Sequence, residues 1–158
     1  MNDSMARKFS LASHFTRLTL TTVMATLLVT IGGRLTTLTG ALALCTGWPL
    51  CAPTHPLGWI ALAHRLAVAV ASGLMLWLFL TAWRHHREER VLLPLTTVIA
   101  TLYFGEAMIG AVQSSGAPVL HLVVLHGLTS IALWIGLATL ALVSMTRVHV
   151  AVDYPHVA

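Results

Sequence analysis

Six ionisable residues sit inside stretches of the chain that are otherwise apolar: Arg34, His64, Arg65, Glu106, His121 and His126. At the centre of a bilayer each would cost roughly 2.5–3.5 kcal/mol, so each needs a partner, a cavity or a function. Imidazole can ligate a metal or carry a proton. A guanidinium grips carboxylates with a planar fork of donors. Glu106 is the one carboxylate within these stretches, able to move a proton or to balance Arg34 or Arg65. Cys45 and Cys51 share one short segment with Pro49, Pro53 and Pro56. What that pair does depends on which side of a membrane it faces.

The elements that must hold these groups are apolar spans. Of 158 residues, 57% are hydrophobic and 9% charged, more apolar surface than a soluble domain of this size can hide. About 20 apolar residues cross the hydrocarbon core. Four such spans are expected, at about 15–38, 59–83, 91–112 and 119–145, in a single membrane domain over 1–158. The fold class is all-α integral membrane, an antiparallel four-transmembrane-helix bundle. An outer cysteine loop, 39–58, separates the first two spans, and Arg84 to Arg90 makes a polar hairpin between the second and third. Residues Gln113 to Pro118 form the last turn. Thr19, Thr21, Thr22, Thr26 and Thr30 can return hydroxyl hydrogen bonds to the preceding helical turn. Small residues, among them Gly73, Gly105, Gly110, Gly127 and Gly136, suit close helix packing.

Orientation follows from positive charge. Arg7, Lys8, Arg17, Arg84, Arg87, Arg90 and Arg147, seven of the nine basic residues, fall on one side, which is therefore cytoplasmic. Both termini belong there, and the cysteine loop lies outside, where a disulfide is permitted. A signal peptide is the alternative for the first span, but no small-x-small cleavage site follows it. The net charge of +4 lies beside apolar spans rather than on a polar segment, which argues against a nucleic-acid partner. His85 and His86, among charges, are expected in a solvated turn.

At 1.5 Å per residue, nearly all the intramembrane ionisable groups fall in a layer roughly 3 to 11 Å below the outer end. His64 and His126 are expected to be the axial ligands of a heme iron, clamped between facing helices. His121 competes with His126, but five residues turn a helix by about 140°, so both cannot face one iron. Met108 is read as packing. Arg65 and Arg34 suit anionic propionates, with snorkelling toward the interface as the plainer reading. His55, between prolines, could cover a cofactor edge.

The chain resembles the heme A synthase family. Ile31-Gly32-Gly33, Thr37, Thr39-Gly40, and Cys45 through Trp48-Pro49-Leu50-Cys51 look like that family's first helix and outer cysteine loop. Ala63-His64-Arg65 is similar to its histidine-arginine motif, Ala107-Met108-Ile109-Gly110-Ala111 to its third helix, and Leu125-His126-Gly127 to its fourth. The likeness runs over about residues 18 to 145. Family members have eight helices in two similar halves, and this chain resembles the first half. The family carries a glutamate three residues before this histidine, where the chain has Ala61, and its cysteine spacing is one residue longer.

The resemblance implies a heme-binding membrane oxidoreductase that takes heme O to heme A, oxidising a methyl to a formyl with oxygen from water. It implies heme b as cofactor, heme O as substrate, a role in cytochrome oxidase assembly, and heme O synthase as a partner. Glu106 is the expected catalytic carboxylate. Cys45 and Cys51 are expected to form a disulfide, structural or redox-active. A homo-oligomer, simplest as a dimer, would supply two heme sites. The alternatives are a non-catalytic b-type heme protein for electron transfer or oxidase assembly, and a small transporter or membrane subunit whose histidines are merely packed.

Overall fold

A computed structural model of the protein describes residues 3–45, 47, 49–115 and 120–153, with side chains over 10–45, 47, 49–114 and 120–147. The side chains of Arg7 and Lys8, together with Trp48 and the Pro118–Val119 stretch, lie outside that description. Four long helices dominate: α1 (Asp3–Leu38), α2 (Gly58–His85), α3 (Leu92–Ser115) and α4 (Leu120–Asp153). Ser10–Leu38, Gly58–His85, Leu92–Ser114 and Leu120–Arg147 are each long and apolar enough to cross a bilayer. They overlap the four expected spans, with ends that differ by no more than five residues.

The helices close a ring in chain order, α1 packing on α2 and α4, and α3 on the same two. Phe15 near the start of α1 meets His86 just beyond α2, while Gly32 near its other end meets His64 near the start of α2. Across the other side, Thr16 donates to the carbonyl of Ser144 at 3.0 Å, and Trp134 Nε1 donates to Thr30 Oγ1 at 3.3 Å. The main core lies toward the Phe15–His86 end. It gathers Phe15, Met75, Leu78, Ile99, Leu137 and Leu140, all fully buried.

Threonine is tolerated on α1 because its hydroxyl returns to the helix. Thr19, Thr21, Thr22, Thr26 and Thr30 each donate to the carbonyl four residues earlier, at 2.8–3.0 Å, as the sequence suggested. The glycines divide. A Cβ on Gly136 would stand 2.9 Å from Ile99, a genuine close approach, but Gly73, Gly105, Gly110 and Gly127 have nothing within 4 Å. The expectation of close packing therefore fails at those four, which face open space.

Past α1 the chain turns at Gly40, whose φ of 64° belongs to the left-handed region glycine favours. A short 3-10 turn, Ala41–Leu44, then leads into the cysteine loop. That loop seats on α2 so closely that a Cβ on Gly58 would lie 2.8 Å from the Leu44 carbonyl oxygen. Ala41, Cys45 and Ala61 form a small separate apolar cluster beneath it.

At the opposite end the structure corrects the sequence reading. His85 is exposed, but His86 is buried: its ring packs 4.8 Å from that of Phe15, and Nδ1 lies 2.7 Å from Glu89 Oε1. Glu89 Oε2 pairs with Arg147 of α4. The connection is a clasp rather than a solvated turn, because a neutral imidazole can cover Phe15 and still use its polar edge. Burial, and then the nearby Arg147 charge, hold the His86 pKa below the ordinary value. Glu89 pulls the other way, but Arg147 shares its charge. A depressed pKa gives stability that is complete above about 6.5, the unfolded value, and is lost as pH falls through the folded one. The thermal unfolding midpoint should therefore drop by roughly 2–4 °C on going from about pH 7.5 to about 5.5. His86→Gln should flatten that slope; an undiminished slope in the variant would rule out His86 as its source.

Candidate functional site

Toward the cysteine-loop end, above the main core, polar groups from all four helices approach one level. His64 is half-buried on α2 and packs on a notch in α1 made by two consecutive glycines. A Cβ on Gly32 would sit 3.3 Å from His64 Nδ1, and one on Gly33 would sit 3.2 Å from its Cε1. A larger residue at either position would force the ring to give by a few tenths of an ångström. His64 Nδ1 is buried without an aligned hydrogen-bond partner, the backbone of Val29 being the group nearest to offering one.

Glu106 and His126 meet across α3 and α4. Glu106 is 9% exposed, and its Oε2 lies 2.7 Å from His126 Nδ1. Its other oxygen, Oε1, accepts a hydrogen bond from the Thr129 hydroxyl. Among the described ion pairs Glu106 is bound to neither Arg34 nor Arg65, the counter-ions the sequence offered beside a proton-carrying role, and lies instead beside an imidazole. His64 and His126 are close enough to interact electrostatically, as are Arg34 and His126. His121 is exposed on α4 and stands apart from these contacts.

The two arginines have different surroundings. Arg34 is exposed and lines a cleft of about 480 Å³ between α1 and α4, with Thr30, Val124, Gly127, Leu128 and Trp134. Arg65 donates from Nη1 to the Gly47 carbonyl and from Nη2 to the Cys45 carbonyl at 3.2 Å. Adjacent residues of one helix thus face different ways: His64 into the bundle, Arg65 up to the loop. The loop brings the sulfurs of Cys45 and Cys51 together with their Cα atoms 5.4 Å apart, inside the range of about 4.4–6.8 Å that a bridge spans. His55 accepts from the Leu57 N–H at 3.2 Å, a local turn contact at the entry to α2. Thr129 was not singled out by sequence; a hydroxyl one turn beyond His126 is its only signal there.

Among the described residues no three His, Cys, Asp or Glu side chains gather as a bare metal ion would require. Two imidazoles on different helices, one against a glycine notch and one beside a buried carboxylate, lie near enough to interact electrostatically. Such a pair could offer two ligands to a single centre.

The fold defines a multi-pass membrane protein whose bundle brings His64 and His126 within electrostatic reach of each other. Comparison with known proteins narrows the class. The chain is 35% identical over 123 residues, covering 74% of its length, to a protein of Haloquadratum walsbyi named protoheme IX farnesyltransferase, of which the match covers 25%. It is 35% identical over 99 residues to heme A synthases of Staphylococcus aureus strains JH9 and Newman, covering 56% of this chain and 33% of theirs. The chain is therefore related to the heme A synthase family, and spans about a quarter to a third of the length of the curated relatives it matches. No family model and no solved structure matches it.

The glycine notch yields a direct test. Replacing a mid-helix glycine by alanine normally stabilises by roughly 0.5–1 kcal/mol. Gly73→Ala, into open space, should show that gain as a raised unfolding midpoint. Gly33→Ala should not, because its new Cβ displaces the His64 ring by a few tenths of an ångström. Equal gains in both variants would mean that His64 does not depend on the notch.

Proposed function

We propose that the chain is a heme-binding membrane oxidoreductase that forms heme A from heme O, with His64 and His126 as axial ligands of a heme b. The observation that carries this reading is a pair of histidines on different helices, His64 and His126, near enough to interact electrostatically, in a chain related to heme A synthases. The surroundings fit a heme. His64 has a buried ring nitrogen with no aligned partner, held against glycines that leave it room. The cleft between α1 and α4, lined by Gly127 and Trp134 though by neither histidine, has a volume within the usual range for small-molecule sites, about 300–1,000 Å³. Its walls are mostly apolar, and Arg34 supplies the charge that a propionate requires. Arg65, with two donors on the loop, contributes to the site by holding the loop in place and has donors left for a propionate.

A bound heme supplies a one-electron redox centre inside the bundle. Overall, oxidation of the methyl consumes one water and releases four protons and four electrons, which pass to a lipid-soluble acceptor of the quinone class. The chain's own part is to exclude bulk water with the apolar walls of α1 and α4, to fix the imidazoles, and to keep Glu106 beside His126. In this reading the helices run antiparallel with both termini cytoplasmic, and Cys45 and Cys51 form an outer disulfide over the site. A symmetric homodimer fits the loop-end turns of α3 and α4, where no described side chain of 107–114 or 120–132 is buried. Heme O synthase is the natural source of the substrate and a candidate partner. The second reading, a non-catalytic b-type heme protein for electron transfer or oxidase assembly, is favoured by Ala61, which leaves α2 without a carboxylate one turn before His64.

Three measurements test the proposal. His64→Ala and His126→Ala should each lose the low-spin heme spectrum, while His121→Ala should keep it. Cells that make heme O and express the chain should accumulate heme A, detected by chromatography of extracted hemes; bound heme without heme A would leave the b-type reading standing. Cys45 and Cys51 should resist alkylation from the outer face until a reductant is added. Thiols that label without reductant, or only from the cytoplasmic side, would overturn the disulfide and the orientation.

A further inference from the structure

At the end of the bundle away from the cysteine loop, α1 and α2 border a second cavity, of about 390 Å³. The apolar span Ser10–Leu38 begins here and Gly58–His85 ends here, which puts the cavity at a membrane–water boundary. We propose that it binds the headgroup of an anionic phospholipid whose chain lies along the exposed face of α2. The inference is independent of the heme reading, since none of the residues proposed to hold heme lines this cavity.

The polar lining suits a phosphate. Arg84 brings a fixed positive charge, Ser10 a hydroxyl, and His14 and His85 an imidazole N–H each. No carboxylate among the described residues lines the cavity. Glu89, close by in the chain, is already taken up by His86 and Arg147. Basic pockets between helices at the membrane boundary are where anionic headgroups are held.

His86 adds a second requirement. It lines the same cavity, is 8% exposed, and holds Nδ1 2.7 Å from Glu89 Oε1. An ionised carboxylate only accepts hydrogen bonds, so the neutral ring donates from Nδ1 and keeps a lone pair on Nε2. That Nε2 is buried and has no hydrogen-bond partner among the described residues. A polar atom left so costs free energy that a donor on a ligand can offset. A headgroup with both a phosphate and a hydroxyl answers Arg84 and His86 together, and phosphatidylglycerol is the simplest of that kind.

The apolar part of the lining leads inward along α2. Trp77 and Leu80 are 53% and 36% exposed, and Trp77 lies beside the ring of His14. Arg84, Leu80, Trp77 and Gly73 recur at intervals of four, three and four, which places them on one helix face. All four are exposed, and Gly73 has nothing within 4 Å of where a Cβ would stand. From Arg84 to Gly73 the strip runs about 16 Å, roughly half the hydrocarbon core and the depth of one leaflet. Charge at the boundary followed by an open apolar strip is the order of a phospholipid's own parts.

The test is native mass spectrometry of the full chain in detergent micelles, titrated separately with phosphatidylglycerol, phosphatidylcholine and inorganic phosphate. The wild type should bind one phosphatidylglycerol about fivefold or more tighter than phosphatidylcholine, the preference expected from one arginine at the membrane surface. Arg84→Gln should remove that preference, and Arg90→Gln, an exposed arginine outside the cavity, should keep it. Equal losses in the two variants would mean general surface charge and overturn the site. Inorganic phosphate that displaces the lipid at equal concentration would make the ligand a free anion and overturn the lipid reading. Should Arg84→Gln fail to fold, His14→Phe decides: it removes a donor while keeping a ring beside Trp77, and an unchanged preference there overturns the proposal.

Discussion

A buried carboxylate in an apolar bundle must be answered by another polar group, and in this protein that requirement joins α3 to α4. Glu106 is met by His126 on one oxygen and Thr129 on the other. An unpaired charge at this depth would be far more costly than any packing the neighbouring helices could offer in return. The register of α3 against α4 is thereby fixed at one level, and Tyr103, one turn before Glu106, then reaches α2 by donating to the Val68 carbonyl at 3.0 Å. The apolar core below this layer can pack in many near-equivalent ways; the polar contacts select one.

The same logic is repeated with weaker materials elsewhere. Thr16 and Thr30 on α1 tie to α4 through Ser144 and Trp134, and the His86–Glu89–Arg147 clasp closes the far end. In lipid the helices gain little from burying apolar surface against one another, since the tails are equally apolar. Hydrogen bonds and shape are what distinguish a helix neighbour from a lipid. The glycine notch at Gly32–Gly33 and the close approach of Gly136 to Ile99 are the shape terms.

Depth was legible in the sequence; direction around each helix was not. The four spans, the loop between the first two and the threonine back-bonds all follow from counting residues along an axis. Rotation is different, because a helix apolar on every side has no amphipathic stripe to tell core from lipid. So the sequence offered Arg34 or Arg65 as a counter-ion for Glu106, beside a proton-carrying role, and did not offer His126, and it read His86 as solvated rather than buried. The engagement of Arg65 with the loop carbonyls was invisible for the same reason, as was Thr129. Gly73, Gly105, Gly110 and Gly127 looked like close contacts because sequence records a small residue but not whether anything approaches it.

Arg65 and His64 are neighbours on α2, one tied upward to the loop backbone and the other pressed sideways into α1. Between them they immobilise the first two turns of that helix, since any rotation breaks one hold or the other. Facing them, the loop-end turns of α3 and α4 keep no buried side chain among those described. The two sides of the bundle mouth are therefore held unequally, α2 by its ties to the loop and to α1, and the ends of α3 and α4 by little buried packing of their own.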